Sequence, residues 1–367
     1  MADQRVEKLA RILVGYSIQV KPGDWVAIQG NMMALPLVNE VVRGVLRAGG
    51  HPSILLESSD LTETILKDSG EAQLQWVSPT DSLVIERADA LIHLDAAENT
   101  RALTGVDPQK QRTRAVARRE LTRTFMKRSA EGSLRWVITQ YPCQALAQEA
   151  DMSRGDFEDF VYSATFADQP DPVQCWQDVH ARQQRLVEWL NGKLQVVVRG
   201  PNSDLTLSVA GRTFINCDGR VNMPDGEIFT GPVEDSATGW VKFTYPAIAG
   251  GREVEGVELE FKEGKVVSAR AKKNEDYLLS QLDSDPGARY LGEFAIGTNY
   301  GIRRFTRSIL FDEKIGGSFH MAVGAGYPET GSKNESSIHW DFICDLRDNS
   351  EILVDGELFY KNGEFQI

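Results

Sequence analysis

Five histidines are spread over a chain of 367 residues, few enough for each to be weighed. His93 and Asp95 form H-L-D, and His339 and Asp341 form H-W-D. In an extended strand, residues two apart point to the same face, so either pair can present an imidazole and a carboxylate to one ion. Their surroundings differ. His339 is accompanied by His320 in GGSFHMAVGAGY, Glu293 in YLGEFAIGTN and Glu227 in NMPDGEIFTGP. Each sits in a glycine-rich stretch beside β-branched or aromatic residues, the setting expected of a side chain exposed at a strand end. Nothing else near His93 in the sequence suggests a ligand. Residue type alone leaves ordinary roles open: Glu227 as a turn carboxylate, Glu293 as a surface charge, His320 as a strand histidine with a backbone partner. His51 in a turn and His180 on a polar helix face read as structural.

Other chemistries lack their residues. The chain has no G-x-S-x-G elbow and no G-x-x-x-x-G-K-[ST] loop to carry a nucleophilic serine or cradle a phosphate. The first strand runs into Gln29-Gly30-Asn31-Met32, which lacks the G-x-G-x-x-G that lets a dinucleotide approach the backbone. H-E-x-x-H is absent. The four cysteines (Cys143, Cys175, Cys217, Cys344) lie far apart, and fit neither a disulfide framework nor a structural zinc site.

The elements that would position these residues change in kind along the chain. Residues 4–17 place Val6, Leu9, Ala10, Leu13 and Val14 on one face of a helix. A turn at Lys21-Pro22-Gly23-Asp24 precedes a strand from Trp25 to Gln29, because proline presets its dihedral and glycine permits positive φ. A helix over 35–48, ended by Gly49-Gly50, strands at 52–56, 90–94 and 135–139, and a long helix around 107–130 continue the alternation. This predicts an α/β domain with a mostly parallel sheet, Rossmann-like, over residues 1–190. After a last helix at 173–190, three hairpins follow around Gly200-Pro201-Asn202-Ser203, Lys262-Glu263-Gly264 and Gly356-Glu357. Residues 191–367 are therefore expected to form a strand-rich α+β domain, the catalytic one.

Composition sets the outer bounds. Hydrophobic content of 41% and charged content of 25% are ordinary for a globular protein. A formal net charge of −13 argues against a nucleic-acid surface, which needs clustered lysine and arginine. The basic run from Arg112 to Lys127 reads as a solvated helix face. The opening MADQRVEKLARIL has no apolar core before a small-residue cleavage site, and no segment is apolar over ~18 residues, so neither a leader nor a membrane helix is expected. Together with the unpaired cysteines, this places the chain in the cytoplasm.

Beyond these readings, the chain closely resembles a known family. The resemblance is carried by N-M-P-D-G-E-I-F-T-G-P (222–232), G-E-F-A-I-G-T-N (292–299) and I-L-F-D-E-K-I-G-G-S-F-H (309–320). It continues through Tyr327 in G-Y-P-E and I-H-W-D (338–341), and more loosely through V-K-P-G-D near 21 and A-L-P-L near 34. The family is the thermophilic metalloaminopeptidases, the aminopeptidase T group, and the similarity spans nearly the whole chain. Asp151 before Met152 departs from the glycine expected there. The resemblance implies two divalent ions (Zn²⁺, Co²⁺ or Mn²⁺) held by Glu227, Glu293, His320, His339 and Asp341. It implies attack by a metal-bound hydroxide on the N-terminal peptide bond of short peptides, with Tyr327 stabilising the oxyanion. Glu313 is a candidate general base, or equally a surface salt bridge. A homodimer enclosing the site is also implied. The alternatives are a ring-cleaving Fe(II) dioxygenase of dihydroxypyridines on the same scaffold, needing only His320, His339 and Asp341, and a non-enzymatic metal-binding protein. Retention of Glu227 and Glu293 favours two metals.

Overall fold

The computed structural model describes residues 3–249 and 251–367. They form two compact units: the first runs to Cys175 and takes in Gly219–Pro224, and the second comprises Trp176–Asp218 and the chain from Asp225 onward. The sequence reading sets the division at 190. The difference lies in the helix Pro172–Leu190, whose Leu186 and Leu190 pack into the core of the second unit, so most of its length belongs there.

In the first unit, helix α1 (Gln4–Arg11) buries Val6, Leu9 and Ala10, and its continuation to Ser17 is a wider π turn. Strand β1 (Trp25–Asn31) buries Val26, Ala27 and Ile28 in succession, as a strand covered on both faces does. Helix α2 (Leu35–Arg47) then leads to β2 (His51–Glu57), and helix α3 (Ser59–Asp68) begins the crossover to β3 (Ala90–Asp95). Strand β4 (Arg135–Gln140) follows, and the short segment Asn222–Met223 returns to pair beside it. All these pairings are parallel, in the order β2-β1-β3-β4 and Asn222–Met223. The α/β expectation is met. The single helix expected around 107–130 is two helices, Pro108–Ala117 and Arg119–Ala130.

The second unit is built from antiparallel sheets. Its eight-stranded sheet contains all three expected hairpins, pairing 195–200 with 203–208, 258–262 with 265–270 and 351–354 with 357–361. A five-stranded sheet carries the candidate ligands: β5 (Glu227–Thr230), β6 (Leu291–Gly297), β7 (Ser318–Gly324) and β8 (His339–Asp345), in the order β8-β7-β6-β5 with Ile215–Cys217 at the edge. One face of this sheet is apolar. Phe294, Ile296, Phe319, Met321, Val323, Trp340, Phe342 and Cys344 all enter the core of the unit.

The register of β6 breaks between Leu291 and Glu293, where Gly292 is inserted opposite Val323 and Ala322. Without that bulge, Leu291 and Glu293 would share a face. With it, Leu291 joins the core while Glu293 points to the other side with Ala295 and Gly297. Gly297 is needed for a different reason: a Cβ there would lie 2.2 Å from the Ile315 carbonyl oxygen, so only glycine lets the 311–316 segment lie against β6. Gly297→Ala is therefore expected to destabilise the protein by about 1–3 kcal/mol, the usual cost of overpacking. Equilibrium denaturation should show this as an earlier unfolding midpoint; an unchanged midpoint would mean that the segment yields freely.

A candidate metal centre on the polar face of the second sheet

The face opposite the core alternates ligand-type residues with small ones. Glu293 is paired with Ala322, and Ala322 with Asp341. His320 is paired with Ala295, His339 with Gly324, and Glu227 with Gly297. Because neighbouring strands lie ~4.8 Å apart, each imidazole or carboxylate has an alanine or glycine beside it, which leaves space above the sheet between the polar groups. The motifs E-F-A-I-G and H-M-A-V-G are the sequence form of this pattern.

Five residues singled out in the sequence converge here. The ligand atoms of Glu227, Glu293 and His320 lie within 4.8 Å of one another, and so do those of Glu293, His339 and Asp341. Glu293 belongs to both groups, with its two oxygens divided between them: Oε1 is 3.3 Å from His320 Nε2, and Oε2 is 3.3 Å from His339 Nε2. Glu313 joins a third group with His320 and Asp341. The expectation that Glu293 and His320 are exposed at strand ends is corrected: they are 4% and 1% exposed and sit within their strands, facing one another. His93 and Asp95 lie in the first unit, outside these groups.

Hydrogen bonding fixes one tautomer. His339 Nδ1 lies 2.7 Å from the Ala325 carbonyl oxygen, which can only accept, so Nδ1 carries the hydrogen and Nε2 is left facing Glu293 and Asp341. Within this cluster of described residues, three buried atoms have no hydrogen-bond partner: Glu227 Oε2, His320 Nδ1 and Asp341 Oδ1. The first is 3.3 Å from His320 Nε2, and the last 3.5 Å from His339 Nε2, close but not in hydrogen-bonding geometry. Buried carboxylate oxygens left this way are costly unless a cation satisfies them.

One residue of this cluster escaped the sequence reading. Lys314 is 0% exposed. Its ammonium contacts the Glu313 carboxylate and lies 4.0 Å from Glu227 Oε1, and Asp225 adds to the same field. The further acidic group of Cys217, Asp225 and Glu227 thus already has a cation beside it. The only signal in the sequence was the charged run Asp312-Glu313-Lys314 between the apolar Phe311 and Ile315.

Charge governs the titration of the whole cluster. Burial pushes Glu227 up to about 8 against the pull of Lys314, and burial raises Glu313 as well. Burial would raise Glu293 too, but the two imidazoles at its oxygens hold it down at about 2. Burial disfavours charge on the histidines, yet Glu293 and Glu227 lift His320 to about 9, and Asp341 and Glu293 lift His339 to about 11. A carboxylate field this strong recruits protons onto the imidazoles, and divalent cations would compete for the same lone pairs.

Tyr327 stands at the rim, 37% exposed. Its ring meets His339 edge-on at 5.1 Å and Phe229 at 5.2 Å. Partial burial, with Glu293 and the other carboxylates nearby, pushes its hydroxyl well above the ordinary value of 10, so it stays a hydrogen-bond donor.

Comparison with known proteins agrees with this chemistry. The family model described as thermophilic metalloprotease (M29) matches residues 2–365. Aminopeptidase 2 of Geobacillus stearothermophilus is 26% identical, covering 96% of this chain and 94% of its own. Aminopeptidase T of Thermus thermophilus is 25% identical, covering 98% of this chain and 96% of its own. The solved structure of wild-type AmpT from Thermus thermophilus superposes with a TM-score of 0.87 at 23% identity over 99% of both chains, which establishes the shared fold. The chain belongs to the thermophilic metalloprotease (M29) family.

Proposed function

We propose that the chain is a two-metal aminopeptidase, acting on short peptides as a homodimer. The observation that carries this reading is the division of Glu293 between two ligand groups, one with Glu227 and His320 and the other with His339 and Asp341. Two ions held by these groups would have Glu293 in common. The donors are nitrogen and oxygen without thiolate, which suits Zn²⁺, Co²⁺ or Mn²⁺. The unpartnered Glu227 Oε2 and Asp341 Oδ1, one in each group, fit such ions. A mononuclear iron site needs only His320, His339 and Asp341, and would leave the buried Glu227 without a role.

Bound in pairs, such ions polarise a carbonyl oxygen and bring the pKa of water down toward ~7. The chain's own residues do the rest. Ala295, Ala322, Gly297 and Gly324 keep the face open above the sheet. Glu313, raised by burial and held by Lys314, accepts the proton of the attacking water at its carboxylate and returns it to the leaving amine. Tyr327 donates its hydroxyl hydrogen to the carbonyl oxygen as negative charge develops there.

Chelation should abolish hydrolysis of leucine-p-nitroanilide, and Co²⁺ or Zn²⁺ should restore it, while the fold survives on its own apolar core; turnover after verified metal removal would contradict the mechanism. Metal analysis separates the ligands. Glu293→Gln should lose both ions, whereas Glu227→Gln and Asp341→Asn should each retain about one of two, as expected for one bridging and two terminal carboxylates. Equal losses in all three would rule out the bridging assignment. Tyr327→Phe should lower kcat by ~10²–10³ with little change in KM, the cost of an oxyanion donor. Normal kcat at full metal content would remove Tyr327 from the reaction.

A further inference from the structure

Proton transfer by Glu313 requires its carboxylate within hydrogen-bond reach of the attacking water, yet the segment that carries it has little hold on itself. Ile309–Asp312 is a single helical turn, too short to persist on its own bonds. Lys314, which contacts the Glu313 carboxylate, belongs to the same stretch of chain, and its distance to Glu227 is 4.0 Å, beyond a hydrogen bond. The orientation of Glu313 must therefore come from fastenings outside the segment. Two are apolar or steric: buried Phe311 and the close approach of Ile315 to Gly297. The polar one is Asp312.

Asp312 is 1% exposed, and a carboxylate buried this far is costly unless donors meet it. Three do. Its Oδ1 accepts from the Thr306 backbone N–H at 2.7 Å and from the Thr306 hydroxyl at 2.9 Å, and the Arg307 backbone N–H also donates to the carboxylate. All three donors come from the turn that precedes Ile309–Asp312. Arg307 makes that turn at a φ of 62°, the left-handed region that an arginine occupies only where its surroundings hold it. Arg307 Nε donates to Glu253 Oε2 at 3.0 Å, and Lys273 Nζ to Glu253 Oε1 at 2.7 Å. The bonds thus run from the strand Arg252–Val254 through Arg307 and Thr306 to Asp312, the residue next to Glu313. An asparagine would fill the same space, but with one accepting oxygen where a carboxylate has two.

We propose that Asp312 is a positioning residue of the hydrolysis: by accepting from Thr306 and Arg307 it holds the segment in the orientation that brings Glu313 to the attacking water. This role presupposes the proton transfer assigned to Glu313. The metal ligands stand on the strands of the sheet, so loosening this clamp displaces Glu313 and leaves the ions in place.

Kinetics of the metal-loaded protein on leucine-p-nitroanilide test this, with thermal unfolding to confirm that each variant is folded at the assay temperature. Asp312→Asn should lower kcat at least ~10-fold, since misplacement by 1 Å is enough for such a loss. KM should stay within about 2-fold and metal content should match wild type. Thr306→Val removes one donor of the three, and Thr306→Ser, which keeps the hydroxyl, should turn over faster than Thr306→Val. Glu313→Gln with and without Asp312→Asn gives the decisive comparison. If Asp312 acts through Glu313, the double variant should be no slower than Glu313→Gln alone. Losses that multiply in the double variant, or a normal kcat in folded Asp312→Asn beside a slow Glu313→Gln, would overturn the positioning role and leave Glu313 as the base. If Asp312→Asn does not fold, equal kcat in Thr306→Val and Thr306→Ser would overturn it instead. A normal kcat in Glu313→Gln would remove Glu313 as the base and the role of Asp312 with it.

Discussion

Repulsion among buried carboxylates is the constraint around which the second unit is organised. Glu227, Glu293 and Asp341 meet Glu313 over one sheet face, with Lys314 as the one fully buried lysine among the described residues. Removing charge from water costs several kcal/mol per ion even after relaxation, so four carboxylates against one ammonium leave three charges to be met. The lifting of both histidines and of Glu227 expresses this imbalance. Divalent cations held by these groups would resolve it.

Geometry follows from the need to hold these groups together and still leave a space among them. The bulge at Gly292 sends Leu291 to the core and Glu293 to the site. Alanine and glycine beside each ligand keep the face open, while the opposite face anchors the strands with Phe294, Phe319 and Phe342. Close approach at Gly297 fixes the segment that carries Glu313 and Lys314. The core and the candidate site thus use opposite faces of the same strands.

Much of this was legible in the sequence, and the exceptions have physical causes. The parallel first sheet showed in the β-α alternation, and the three hairpins showed in their turn residues. The candidate ligands were picked out by type, but their burial was not, because a glutamate inside a glycine-rich strand reads as exposed until a partner across the sheet is known. Lys314 was passed over for the same reason. The helix Pro172–Leu190 was assigned by its position in the chain, whereas its unit is decided by where Leu186 and Leu190 pack.

The central claim is that two cations sit on either side of Glu293. Anomalous diffraction from crystals of the Co²⁺- or Zn²⁺-loaded protein tests it directly. The account predicts two peaks ~3.5–4 Å apart, one beside Glu227 and His320 and the other beside His339 and Asp341, with a Glu293 oxygen on each. A single peak on this face, or two peaks that do not share Glu293, would contradict it.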